Sequence, residues 1–167
     1  LSTIIDNLSR KMTFSDYISS LPGFHMSGGK REGSFLRVVD DENKYLNLRG
    51  MYRLDKQNKS FNHDGIELHK LNVISEDIYV SKESAKPFLS PHILIRRIIE
   101  KESSRVPIDY LPDINIVFGE RVIGIHGPTS STAILEKIYN KFKESHQAIS
   151  LFLAVASSDY STGTATG

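Results

Sequence analysis

The feature that most constrains the fold of this 167-residue chain is the order of its apolar segments between residues 76 and 156. The segments EDIYVSK and AISLFLAVA have the length of strands, and INIVF and RVIGIH flank Gly119–Glu120, which predicts a hairpin. Two longer segments have helical character. Ser90–Ser103 begins with the Ser-Pro pair of a helix start, and Ser131–His146 repeats apolar residues every three to four positions. The predicted order is β-α-β-β-α-β.

That order is typical of the ferredoxin-like arrangement, in which two helices cover one face of an antiparallel sheet. The sequence therefore predicts an α+β protein. The arrangement says little about function, because unrelated enzymes, RNA-binding modules and assembly domains all use it.

The first half of the chain predicts smaller elements. Residues 2–20 have two helical stripes, and Leu21–Gly33 reads as an exposed glycine-rich loop. Residues 34–74 predict a small antiparallel β-meander, whose first hairpin turns at Asp40–Asn43. The expected organisation is therefore an N-terminal helix and meander over residues 1–74, a ferredoxin-like unit over 75–156 and a flexible tail over 157–167.

Composition excludes several functions and leaves others open. The 21 Lys and Arg residues balance 20 Asp and Glu residues, which argues against a mainly electrostatic nucleic-acid binder but leaves a local basic patch possible. Because there are no cysteines, thiolate catalysis and zinc-ribbon sites are excluded. No apolar run approaches the ~20 residues of a membrane-spanning helix, so the segment is expected to be soluble and without a membrane span. No motif calls for a cofactor.

The turn between the predicted strand RVIGIH and the last predicted helix is a candidate anion site. Free N–H groups at a helix N-terminus attract anions, and nearby hydroxyls add donors. The turn has no lysine, so it is not a Walker loop. The simpler interpretation is a tight turn followed by a helix cap. The candidate ligand-binding residues are Gly124, His126, Gly127, Thr129, Ser130 and Ser131.

A second candidate lies in NHDGIELHK. On a continuous strand, His63, Glu67 and His69 would share one face, and two histidines with a carboxylate can ligate a metal ion. The simpler interpretation is the solvated face of an edge strand, with His63 in a turn.

Three functions remain open. The chain begins with Leu1, which suggests a domain of a larger protein. The first hypothesis is a non-enzymatic interaction or assembly domain that contacts other protein chains through sheet edges and the loop Gly23–Gly33. The alternative is a nucleic-acid-binding module that uses the Gly124–Thr132 turn and the Lys and Arg residues around it. A second alternative is a hydrolase or transferase that uses His63, Glu67, His69 or His126.

Overall fold

The computed structural model describes residues 14–55, 59–96 and 106–144, which form an α+β structure with several small sheets. The helices are α1 (Phe14–Ser20), α2 (Lys82–Ala85) and α3 (Thr132–Glu144), and short 3-10 turns cover Glu32–Ser34, Leu68–Lys70 and Lys86–Phe88. The strands are β1 (His25–Gly28), β2 (Tyr45–Asn47), β3 (Tyr52–Arg53), β4 (Phe61–Asn62), β5 (Gly65–Ile66), β6 (Asn72–Val73), β7 (Tyr79–Ser81), β8 (His92–Arg96), β9 (Ile108–Leu111), β10 (Ile116–Val117) and β11 (Val122–His126).

The largest sheet has the order β1-β11-β8-β9, and all its pairs are antiparallel. A second sheet has the order β10-β3-β6, with β10 parallel to β3. The remaining strands form two pairs, β2 with β7 and β4 with β5. The pairs β2–β7 and β3–β10 join residues on both sides of the boundary expected at residue 74.

Both faces of the four-stranded sheet are buried. On one face, Ile93, Ile95 and Ile125 pack against Leu135 and Ile138 of α3. On the other face, apolar residues of β8, β9 and β11 pack against residues of the three smaller sheets and the 3-10 turn at Lys86–Phe88. Alternate residues of the same strands therefore contact two separate cores.

The predicted helix near the C-terminus of the described chain is confirmed. Leu135, Ile138 and Phe142 are buried at helical spacing, while Ile134 is 47% exposed although it was expected on the inward stripe. α1 lies within the segment 2–20 that was predicted to be helical, but the N-terminal helical segment as a whole is not confirmed. The rest of that prediction, the closing strand at residues 148–156 and the tail at 157–167 lie outside the described residues.

The helix predicted at Ser90–Ser103 is wrong over His92–Arg96, which form the central strand β8. Ile93, Leu94 and Ile95 are consecutive and fully buried, because β8 has a core on each face. A short apolar run of this kind has no periodicity that separates a strand from a buried helix. The ferredoxin-like arrangement is therefore not confirmed.

Pairing between strands also differs from the prediction in the hairpins. β10 and β11 follow each other through the Gly119 turn, but β10 pairs with β3 and β11 pairs with β1 and β8. The hairpin predicted at Asp40–Asn43 is likewise absent from the described residues, because Leu36 and β2 both pair with β7. In each case, a strand pairs with a strand that is distant in the sequence and not with its neighbour in the sequence.

Two segments have a different local structure from the one predicted. The expected loop Leu21–Gly33 contains β1, an outer strand of the main sheet. The last part of the predicted β-meander, residues 66–74, is interrupted by the 3-10 turn Leu68–Lys70. In the described part of the chain, no helix has the length and apolar character needed to span a membrane.

Candidate functional site

Three histidines lie side by side across the main sheet. The register pairs His25 of β1 with His126 of β11, and His126 with His92 of β8. Directly opposed residues of an antiparallel sheet point to the same face, so this histidine row runs from the outer strand to the centre of the sheet. His25 is exposed, His126 is 8% exposed and His92 is fully buried.

The outer end of the row opens into a cleft of about 410 Å³. We call it the histidine cleft. Its polar side chains come from α1, from β1 and the segment after it, from α2 with the adjoining 3-10 turn, and from β11. They are Ser19, His25, Ser27, Lys30, Glu83, Ser84, Lys86 and His126. Seven of these eight side chains have polar hydrogens, and the exception is the carboxylate of Glu83.

Local structure explains how these side chains are positioned. Gly29 lies so close to the backbone of Phe118 and Gly119 that a Cβ has no room there, and the Lys30 N–H donates to the Phe118 carbonyl oxygen at 3.1 Å. This contact fixes Lys30 after β1. On the other wall, the Ser81 hydroxyl accepts from the Ser84 N–H at 3.1 Å and caps α2.

His126 is held in its neutral form. Its Nε2 lies 3.2 Å from the Ser27 hydroxyl, and its ring centroid lies 5.5 Å from that of His25. Burial is the main cause that lowers the pKa of His126 from 6.5 to about 4, and the neighbouring His25, His92 and Lys86 lower it further. At neutral pH the ring is therefore uncharged.

The carboxylate of the cleft is already paired. Glu83 lies 2.9 Å from the Lys86 ammonium group, and its hydrogen bond to Lys86 lowers the pKa of Glu83. Because both groups are largely exposed, this pair contributes little stability and can exchange partners.

His92 anchors the inner end of the row. Its Nδ1 lies 2.8 Å from the Pro87 carbonyl oxygen, and its Nε2 lies 2.9 Å from the Ile114 carbonyl oxygen. Burial lowers the pKa of His92, so the ring is neutral and donates to only one of these two acceptors. The ring connects β8 to the turn that carries Lys86.

A second cleft, of about 450 Å³, is also lined by Lys30. We call it the arginine cleft. Its charged residues are Lys30, Arg31, Glu32, Arg53, Asp55, Glu120 and Arg121. Arg31 pairs with Glu120, and Arg53 lies 3.6 Å from Glu32 and stacks over Phe35 at 5.5 Å from the ring centroid. Lys30 lines both clefts.

The predicted anion site is divided by the structure. Of its six residues, His126 lines the histidine cleft. The two glycines serve packing: a Cβ on Gly124 would lie 2.8 Å from Phe118 Cζ, and one on Gly127 would lie 2.7 Å from the Phe24 ring. Ser131 is buried and its hydroxyl donates to the Pro128 carbonyl oxygen, so it belongs to the turn before α3. Thr129 and Ser130 are exposed in that turn.

The predicted metal ligands are not brought together. His63 lies in the turn between β4 and β5, and His69 is exposed in the 3-10 turn after Glu67. The Glu67 carboxylate pairs with Lys70 and accepts from the Asn62 amide at 3.3 Å. Over residues 14–55, 59–96 and 106–144, no group of three His, Asp or Glu side chains is arranged to hold a metal ion.

Sequence reasoning missed most of the histidine cleft. His25 and Ser27 alternate with Met26 and Gly28, which is strand spacing, but the surrounding glycines favoured a loop. Glu83, Ser84 and Lys86 follow a short strand and have no distinctive spacing. Their proximity to His126 depends on how distant strands pair.

The cleft is better suited to binding than to catalysis. The Ser27 hydroxyl and His126 Nε2 are as close as a nucleophile and its general base are in an active site. However, a base with a pKa of about 4 takes up a proton poorly at neutral pH, and the hydrogen bonds of the described residues give His126 no carboxylate partner. Several donors facing one space are what an anionic ligand needs.

Comparisons with protein-family models, with curated proteins and with solved structures found no match to this chain.

Proposed function

We propose that this chain is a nucleic-acid-binding module whose phosphate contacts lie in the histidine cleft and extend past Lys30 into the arginine cleft. The observation that carries the proposal is the set of polar hydrogens in the histidine cleft, opposed by a single carboxylate that is already paired. Phosphate oxygens accept hydrogen bonds and carry negative charge, so they match both properties of the cleft.

The arrangement of the two clefts favours a ligand with several phosphates. Lys30 belongs to both, so one extended ligand that crosses Lys30 can contact Lys86 on one side and Arg121 on the other. Within the described residues, neither Lys30 nor Arg121 forms an ion pair. These two cations are therefore available to phosphates without first losing a carboxylate partner.

The near-neutral charge of the chain limits the strength of this binding. With a formal charge of +1, long-range attraction is weak, and affinity must come from local contacts in the clefts. We expect the logarithm of the association constant to fall with the logarithm of salt concentration with a slope of about −2 to −4, which corresponds to a few phosphate contacts.

The test is fluorescence anisotropy with labelled single-stranded and double-stranded oligonucleotides between about 50 and about 200 mM salt. Lys30→Ala is expected to weaken binding about fivefold and to reduce the salt slope by about one. The matched control is Lys137→Ala, which also removes one cation but lies exposed on α3, on the other side of the sheet. No binding at low salt, or equal losses in the two variants, would contradict the proposal.

Binding to other protein chains remains a second candidate, because apolar side chains are exposed next to β7. Val38 is 85% exposed and Leu36 is 41% exposed, and the Leu36 backbone bridges to Tyr79. Exposed apolar residues on an extended segment suit the addition of a partner strand. Replacing Val38 with Asp should remove such a partner in pull-down from the source, while Val73→Asp, at another exposed apolar position, should not.

A further inference from the structure

The histidine row gives the cleft a group that can gain charge when a ligand arrives. Neutral His126 lies at the inner wall of the cleft, and its cross-strand neighbours are His25 on β1 and His92 on β8. From the opposite wall, Glu83 and Lys86 face it, and Lys30 lines the same space. These are the titratable and charged groups that the elements around His126 present to it.

The surroundings of His126 in the free protein disfavour its cationic form for two reasons that a bound anion would reverse. The ring is 8% exposed, so its proton would have little water to solvate it. His25 and Lys86 also lower the pKa of His126, and the opposing effect of Glu83 is smaller. An anion in the cleft would offset the positive charge of Lys86 and provide an acceptor for a second ring proton.

We propose that binding of a phosphate group in the histidine cleft is coupled to the uptake of one proton by His126, so that affinity increases as the pH falls below neutrality. The inference rests on the proposed function for the location of the ligand, and it concerns the cleft rather than the kind of nucleic acid. The proton comes from solvent, and no covalent bond forms or breaks.

Linkage gives the size of the effect. If the anion returns the pKa of His126 from about 4 to its ordinary value of 6.5, the association constant rises between pH 7.5 and pH 5.5 by about tenfold. Over the same range, protonation of the free protein at His126 remains small. The part of the pH dependence that comes from His126 therefore belongs to the complex.

The test has two arms. In the first, a short single-stranded DNA is titrated at about pH 5.5 and about pH 7.5, and the ratio of the two affinities is compared for wild type, His126→Gln and His69→Gln. His69 is an exposed histidine outside the cleft, so its variant should keep the tenfold ratio. His126→Gln, which cannot take up a proton, should bring the ratio close to one.

The second arm measures the titration of His126 in the wild-type protein by NMR, without ligand, with inorganic phosphate and with the DNA. An upward shift of its pKa with either ligand is expected. If phosphate shifts it but DNA does not bind, the coupling stands and the nucleic-acid function fails. DNA binding without a shift of the pKa or a pH-dependent ratio would overturn the coupling alone. If neither phosphate nor DNA binds, both proposals are overturned.

Discussion

The two faces of the four-stranded sheet are built from alternate residues of the same strands, yet they have different chemistry. On the face that contacts α3, β8 and β11 contribute isoleucines. On the other face, the same two strands contribute the buried Leu94 and Val122, but also His92, Gly124 and His126. The first face is an ordinary apolar core. The second face has no apolar side chain at the positions of His92, Gly124 and His126, and the histidine cleft opens at its edge.

Polar residues and glycines at buried positions of a strand indicate where function is expected in such a chain. Burying a polar ring costs free energy unless it is hydrogen-bonded, and a glycine in a central strand contributes no side chain to the core. A strand that could have been apolar on both faces is expected to carry such residues where they serve another purpose.

Ile125 tests the stability of the apolar face. Its side chain is fully buried against α3, so Ile125→Ala should lower the free energy of unfolding by about 3 kcal/mol, through lost apolar contact and the cavity left behind. Ile134→Ala is the control, because that side chain is half exposed, and it should cost less than about 1 kcal/mol. Urea unfolding measures both. Similar losses in the two variants would contradict the assignment of the core.

Gly124 tests the packing of the histidine face. An added Cβ would lie 2.8 Å from Phe118 Cζ, and Phe118 itself is held by an edge-on contact with Phe88. Gly124→Ala should therefore cost about 2 kcal/mol of stability through overpacking. Gly33→Ala is the matched control, since a Cβ there meets no atom within 4 Å. An unchanged stability in Gly124→Ala would show that this face is looser than described.

The pH dependence of stability tests the buried histidine. The pKa of His126 is about 4 in the folded protein and 6.5 ordinarily, so between these values the unfolded chain binds the proton more tightly. Stability should fall as the pH falls from about 6.5 towards 4. The shift corresponds to at most about 3 kcal/mol, and solvent at the mouth of the cleft reduces this to about 1.5 kcal/mol.

The measurement is the free energy of unfolding at about pH 7 and about pH 4.5 for wild type and His126→Gln. Since other groups titrate in both proteins, the difference between them isolates His126. The variant should lose less stability on acidification. An equal loss in both proteins would mean that His126 is not the group that destabilises the fold in acid.

Ser27 tests how much its contact with His126 contributes to stability. Its hydroxyl lies 3.2 Å from His126 Nε2, and Ser27→Ala leaves that buried nitrogen without this partner. We expect a loss of about 1 kcal/mol in stability. Ser130→Ala, which changes an exposed hydroxyl in the turn before α3, should be nearly neutral. Equal losses of stability in Ser130→Ala and Ser27→Ala would contradict a specific contribution of the contact between Ser27 and His126.

The sequence predicted local structure better than pairing. α3 could be predicted because Leu135, Ile138 and Phe142 repeat at helical spacing over a long segment. β8 could not be predicted, because a strand that is buried on both faces has no alternation of apolar and polar residues. The α+β class was predicted from the mixture of helical and strand-like segments. It does not depend on the wrong helix assignment at Ser90–Ser103, because other helices and strands remain.

The candidate site could be predicted only in part. His126 was found because it precedes a helix-initiating turn, although the reason given was the turn and not the row. His25 and His92 are separated from it by 101 and 34 positions in the sequence, and only the pairing of β11 with β1 and β8 brings them together. Register between distant strands is set by the whole core, so no local pattern contains it.

We propose that the histidine face of the sheet, and not the α3 face, meets an anionic ligand. The most direct test maps amide chemical-shift changes while a short single-stranded DNA is added to the isotope-labelled protein at low salt. We expect changes concentrated at His25–Lys30, at Glu83–Lys86 and at His126. Changes confined to α3 or to the Leu36–Val38 segment, or no changes at all, would contradict it.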